Sequence, residues 1–201
     1  MVEHVAEVLV FHHACGLTAG VLAFAEEIRS VGHVVHTPDL YEGSTFTSVV
    51  DGVHFAEQVG FDTIIERGRI SAEELPRELV YAGFSLGVLP AQMLAQTRSG
   101  AAGALLFHGC IPPAELGGGW PAHLPLQIHM MERDEFVVND GDLDAGRQLA
   151  ETVGVAELFL YAGDRHLFAD SSLADYDQDA ATLLKERVRR FLDDIDDGST
   201  A

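Results

Sequence analysis

Apolar residues gather in six short blocks along the chain: Val5 to Phe11, His33 to His36, Leu79 to Gly83, Ala104 to Phe107, Leu126 to His129 and Glu157 to Tyr161. Most run continuously apolar instead of alternating, the pattern of strands covered on both faces of a parallel sheet. Helical periodicity separates them. Val21, Leu22, Ala25, Ile28 and Val31 share a spacing of three to four, with Gly32 placed to cap the end. Ser71-Ala72-Glu73-Glu74 fits a capping box that opens a helix. Leu183, Leu184, Val188, Phe191 and Leu192 give a last helix its apolar face, with Arg187, Arg189 and Arg190 suited to its C-terminal end. From Asp193 the chain turns polar and acidic, and a single domain over 1–195 with a frayed tail, 196–201, is expected.

Strands alternating with helices predict an open α/β fold with helices on both faces of a mostly parallel sheet of about six strands. In such sheets ligands bind beyond the carboxyl ends of the strands, where strand order reverses. The search for chemistry therefore narrows to residues just after strands.

The third block runs into Gly83-Phe84-Ser85-Leu86-Gly87. A strand, Gly-x-Ser-x-Gly and a helix-compatible segment are the parts of a nucleophile elbow, a sharp turn that lifts one serine out of the sheet. The pattern alone is weakly specific. A serine hydroxyl needs a general base, and an imidazole needs a carboxylate to hold its tautomer. Downstream stand Asp134, after the fifth block, and His166, after the sixth. Their order with Ser85 is that of α/β-hydrolases. Glu132, Glu135 and Asp140 compete with Asp134, and its position after the strand favours Asp134. Asp164 lies on the histidine's own loop.

His36-Thr37-Pro38-Asp39-Leu40-Tyr41, the Ser85 elbow, Asp134-Glu135-Phe136-Val137 and Tyr161-Ala162-Gly163-Asp164-Arg165-His166-Leu167-Phe168 stand in order over most of the chain. Together they resemble the dienelactone hydrolase family. That resemblance implies a compact α/β-hydrolase sheet of order 2-1-3-4-5-6, with the switch point between the first and third strands. It implies an oxyanion hole from the amides of Leu86 and Ala14. Two positions depart from the family. His13 stands where members carry an acidic residue, and Asp170 where the dienelactone-cleaving enzymes place an arginine. Serine also replaces the cysteine nucleophile of the best-known members. An anionic substrate is accordingly disfavoured near Asp170.

These readings predict a carboxylic ester hydrolase acting on a small ester, lactone or thioester, with no cofactor. His13, Tyr41, Trp120, Phe136 and Phe168 are the candidates for substrate contact. Trp120 lies in a Gly- and Pro-rich loop from Gly109 to Leu124. The alternative is a catalytically silent scaffold that binds a small molecule. A nucleotide-binding module is weaker, because no phosphate-cradling glycine loop follows the first strand.

Net charge sharpens the picture. At −20, the 201-residue chain opposes nucleic acid and anionic membrane as partners. No apolar run approaches the ~20 residues of a bilayer span, and Met1 to His4 lacks a basic leader, so a cytoplasmic protein is expected. Cys15 and Cys110 read as buried thiols, and His12 and His13, adjacent and pointing to opposite faces, as poor metal chelators.

Overall fold

The computed structural model describes residues 5–196 and 198; the predicted leader-free start, Met1 to His4, and most of the predicted acidic tail lie outside that range. Six strands form one sheet in the order β2-β1-β3-β4-β5-β6. They are β1 (Glu7–Phe11), β2 (Val34–His36), β3 (Val80–Phe84), β4 (Gly103–Phe107), β5 (Leu126–Met131) and β6 (Ala156–Tyr161). Every pairing is parallel. This is the predicted α/β-hydrolase sheet.

The continuous apolar runs are explained by two cores. Leu9, Phe11, Tyr81, Leu106 and Ile128 face one side of the sheet. Their neighbours Val8, Val10, Val80, Ala82, Leu105 and Phe107 face the other. The first side is covered by α2 (Val49–Val59), α3 (Phe61–Ser71), α4 (Val88–Thr97), α5 (Glu135–Asn139) and α6 (Asp142–Thr152). The second is covered by α1 (Ala19–Ser30) and α7 (Gln178–Asp196). Each fully buried Val, Leu or Phe contributes roughly 1.5–3 kcal/mol.

Local expectations met three corrections. Leu22 and Val31 are 42% and 50% exposed, so the α1 stripe is narrower than its spacing suggested: Val21, Phe24, Ala25 and Ile28 carry it. Ser71 ends α3 instead of opening a helix, its hydroxyl donating to Gly68 O at 2.7 Å. α7 runs on to Asp196, because its apolar face continues to Ile195, which packs with Phe191 and Leu192 on the second core. Its last turn is acidic, and the arginines sit mid-helix. Arg187 stacks over Phe159 at 4.2 Å, a cation–π contact with the sheet's edge strand.

The register of β1 with β3 pairs Phe11 with Gly83. Their carboxyl ends therefore emerge side by side, and strand order departs from β1 in both directions there. A 3-10 turn at Ser85–Gly87 joins β3 to α4. Within it Ser85 holds φ +48, a left-handed conformation rare for a side-chain-bearing residue. The turn closes because two glycines leave space. A Cβ on Gly83 would overlap Gly87 O and lie 2.7 Å from Val88 N. One on Gly87 would overlap Phe11 O and lie 2.7 Å from His12 O. Gly87→Ala must therefore push the elbow off the end of β1. A loss of about 1–3 kcal/mol in urea unfolding is expected, and unchanged stability would show that the elbow is not so tightly seated.

Candidate active site

Three loops at the carboxyl ends of β3, β5 and β6 bring Ser85, Asp134 and His166 together. Ser85 Oγ lies 2.7 Å from His166 Nε2, and His166 Nδ1 lies 2.7 Å from Asp134 Oδ2. The carboxylate accepts from Nδ1–H, which leaves the Nε2 lone pair facing the serine hydroxyl. Asp134 is fixed by its second oxygen. As N-cap of α5 it accepts from Phe136 N–H at 3.0 Å through Oδ1. Asp134 and His166 are buried, whereas Glu132, Glu135, Asp140 and Asp164 are exposed. Burial thus separates the predicted acid from its rivals.

The first loop lies against the elbow through the Gly87 contact with Phe11 and His12. Ala14, predicted to give an oxyanion donor, is 1% exposed, and its N–H has no hydrogen-bond acceptor among the described residues. Leu86 follows Ser85 in the first turn of the elbow, where amides have no intrahelical partner. Above Ala14 sits α2, where a Cβ on Gly52 would overlap Ala14 O.

Of the predicted substrate contacts, Phe136 fits best. It is 40% exposed, with its ring 4.5 Å from the His166 ring. The other four are enclosed. Trp120 packs in the first core and donates Nε1–H to Leu124 O at 2.9 Å, anchoring its loop. Tyr41 is buried beneath α2, its hydroxyl donating to Gly52 O at 3.2 Å. Phe168 is buried edge-on to His108. His13 is buried with Nε2 2.7 Å from Asp170 Oδ2. Asp170, read as a substrate-repelling group, is likewise buried and turned away from solvent. The alternation of types along a loop does not reveal which side chains turn inward.

Both cysteines are free and buried. Burial raises the Cys15 thiol to about 11 and the Cys110 thiol well above its ordinary range, so neither offers a thiolate near neutral pH. His12 accepts from Leu40 N–H at 3.0 Å, tying the first loop to the segment after β2, and burial lowers it to about 4.

Two residues near the triad were not singled out from sequence. His108 follows β4 with φ +62, and its ring lies 6.1 Å from that of His166. Burial holds it well below the usual histidine range, so it stays neutral beside the catalytic candidate. Asp142 opens α6 and accepts from Cys110 N–H at 3.1 Å. A Cβ on Gly109 would lie 3.1 Å from Asp142 Oδ2 and 3.7 Å from Ser85 Cα, which places this carboxylate beside the elbow. Burial, with Asp140 and Asp134 nearby, raises Asp142 to about 6. An acidic residue just after Gly141, at a helix start, was the available signal. Two cavities of about 630 and 430 Å³ lie elsewhere, one between α1 and α7 and one at the amino ends of the strands; neither is lined by a triad residue.

The model of the dienelactone hydrolase family matches residues 2–195, and the chain belongs to that family of hydrolases. Among solved structures it is similar to a dienelactone hydrolase-like promiscuous phosphotriesterase from metagenomic libraries, at 16% identity and TM-score 0.70, covering 94% of this chain and 86% of that one. A Thermus thermophilus protein aligns at 20% identity and TM-score 0.65, covering 96% and 89%. Esterase 2 of Thermogutta terrifontis, phosphoramylated by tabun, aligns at 18% identity and TM-score 0.60, covering 96% and 84%. No curated protein matches the sequence. Among the described residues no helix is long and apolar enough to cross a membrane.

Asp142 generates a pH-dependent prediction. Its carboxyl rises from an ordinary 3.8 to about 6 on folding, so the folded chain binds the extra proton between those values. Stability should fall as pH rises through that window and stay lower above it. Asp142→Asn keeps an acceptor for Cys110 N–H and removes the charge. Thermal melts should show a higher Tm than wild type at pH 8, by ~2–4 °C for about 1 kcal/mol, and no gain at pH 4. A lower Tm at pH 8 would contradict this assignment.

Proposed function

We propose that this member of the dienelactone hydrolase family is a serine hydrolase that cleaves a small ester, lactone or thioester through an acyl-enzyme. The observation that carries the proposal is the unbroken pair of 2.7 Å contacts from Ser85 through His166 to Asp134. Ser85 Oγ attacks the substrate carbonyl while His166 Nε2 takes its proton. Asp134 keeps the Nδ1 proton in place and balances the imidazolium. The amides of Leu86 and Ala14 receive the oxyanion of the tetrahedral intermediate. Collapse expels the alcohol or thiol, which leaves with the proton from His166. Water then attacks the acyl-enzyme with His166 again as base, and Ser85 regains its proton as the acid departs.

Two features support a neutral or weakly polar substrate. The half-exposed Phe136 ring beside His166 offers an apolar wall. Asp142 and the net charge of −20 disfavour a substrate anion. The similar Thermogutta terrifontis esterase 2 is phosphoramylated by tabun, and an activated serine in this chain would be open to the same kind of reagent. The Ser–His and His–Asp contacts favour this reading over a silent scaffold.

The test is steady-state hydrolysis of p-nitrophenyl acetate and a panel of small lactones. Ser85→Ala should lower kcat by at least ~10³-fold, and Asp134→Asn by ~10³–10⁴-fold through the wrong tautomer of His166. Full esterase activity in Ser85→Ala would overturn the proposal.

A further inference from the structure

A second carboxylate–histidine pair lies behind the triad, one member on the loop after β6 that carries His166 and the other on the loop after β1. Asp170 comes four residues after His166, and His13 precedes Ala14. The Asp170 carboxylate accepts four hydrogen bonds. Oδ2 takes His13 Nε2–H at 2.7 Å and Thr18 Oγ1–H at 2.5 Å. Oδ1 takes the Ser172 hydroxyl at 2.6 Å and Ser172 N–H at 2.8 Å. Burial would raise this carboxyl, yet the hydrogen bonds from His13, Ser172 and Thr18 outweigh burial and hold it at about 2. It is therefore an anion near neutral pH.

The direction of the bonds is fixed. Cys15 N–H donates to His13 Nδ1 at 3.2 Å, so the ring carries its proton on Nε2 and gives it to Asp170. Ala14 lies between the residue whose ring is anchored and the residue whose amide grips that ring. One imidazole thus holds the backbone on both sides of the proposed oxyanion donor. The anchor extends into α1. Thr18 is the N-cap of that helix, Gly20 N–H donates to the Ser172 hydroxyl at 3.1 Å, and a Cβ on Gly20 would overlap the Asp170 carboxylate.

We infer that Asp170 is a positioning residue that acts through His13 to lock the Ala14 amide in register with the loop carrying His166. This rests on the serine-hydrolase reading. It also gives His13 and Asp170 a role at the two positions that depart from the family pattern: they serve the hole, not the substrate. No amide can replace the carboxylate. The side chain introduced by Asp170→Asn would turn an N–H₂ either toward the N–H of His13 and the hydroxyl of Thr18 or toward the amide of Ser172. A shift of the His13 proton to Nδ1 would only set it against Cys15 N–H.

The test compares Asp170→Asn with wild type, with each preparation titrated by a fluorophosphonate so that kcat refers to reactive Ser85. Esters are measured beside the matching thionoesters, whose sulfur is a weaker acceptor and gains less from the hole. Asp170→Asn should lower kcat per titrated site by about 10–100-fold on esters, with KM within about twofold. The preference for ester over thionoester should fall by a comparable factor, a change that a loss of folded protein cannot produce. Ser172→Ala, at an exposed position, should move the same preference in the same direction by a smaller factor, and it serves should Asp170→Asn fail to fold. Unchanged kcat per titrated site, or equal losses on esters and thionoesters, would overturn the inference alone. Wild-type protein that takes no label would overturn the serine-hydrolase reading itself.

Discussion

The structure turns on a place where backbone meets backbone. Gly83 and Gly87 let β3 fold back so tightly that a single methyl on either would strike a main-chain carbonyl. That approach holds Ser85 at φ +48 and seats the elbow against the end of β1. Without it, the elbow would lose its backbone contact with Phe11 and His12 at the end of β1. The strain at Ser85 is stable because parallel pairing of β3 with both β1 and β4 leaves the strand no other path. A left-handed serine at a strand end between two obligatory glycines is a local cost that sets one hydroxyl 2.7 Å from His166 Nε2.

Around that point the fold sets charges in two layers. In front, Asp134 and His166 form a pair open to Ser85. Behind, Asp170 and His13 form a pair closed to solvent and saturated with hydrogen bonds. The neighbouring rings stay uncharged: burial lowers His129 to about 3 and His108 well below the usual range. A carboxylate is thus matched to each of the two imidazoles beside the elbow, while His108 packs edge-on to Phe168 and His129 is hydrogen-bonded to the Tyr161 hydroxyl at 2.8 Å. The chain's net charge of −20 lies mostly outside these pairs.

Much of this was legible in the sequence. The six apolar blocks set the strands to within one or two residues; the inner strands β1, β3, β4 and β5, buried on both faces, have no polar alternation to confuse them. The triad candidates could be named because a serine needs a base and an acid at the ends of later strands, and Ser85, Asp134 and His166 stand there in order. What could not be read was which side chains point inward from a loop. Tyr41, Trp120 and Phe168 looked like pocket walls and are core instead, because a large ring in a loop gains as much from anchoring that loop as from facing a ligand. His13 and Asp170 were seen as isolated departures; their contact spans 157 positions and exists only once β1 and the last loop share a sheet end. Ser71 misled for a local reason: serine bonds equally well to a carbonyl at a helix end and to an amide at a helix start.

The most direct test is a crystal structure of the protein after reaction with a phosphonate ester. The account predicts a bond from phosphorus to Ser85 Oγ, with the phosphoryl oxygen within hydrogen-bonding distance of both the Leu86 and Ala14 amides and His166 still paired with Asp134. A phosphoryl oxygen directed away from those amides, or phosphorus attached to any other side chain, would contradict it.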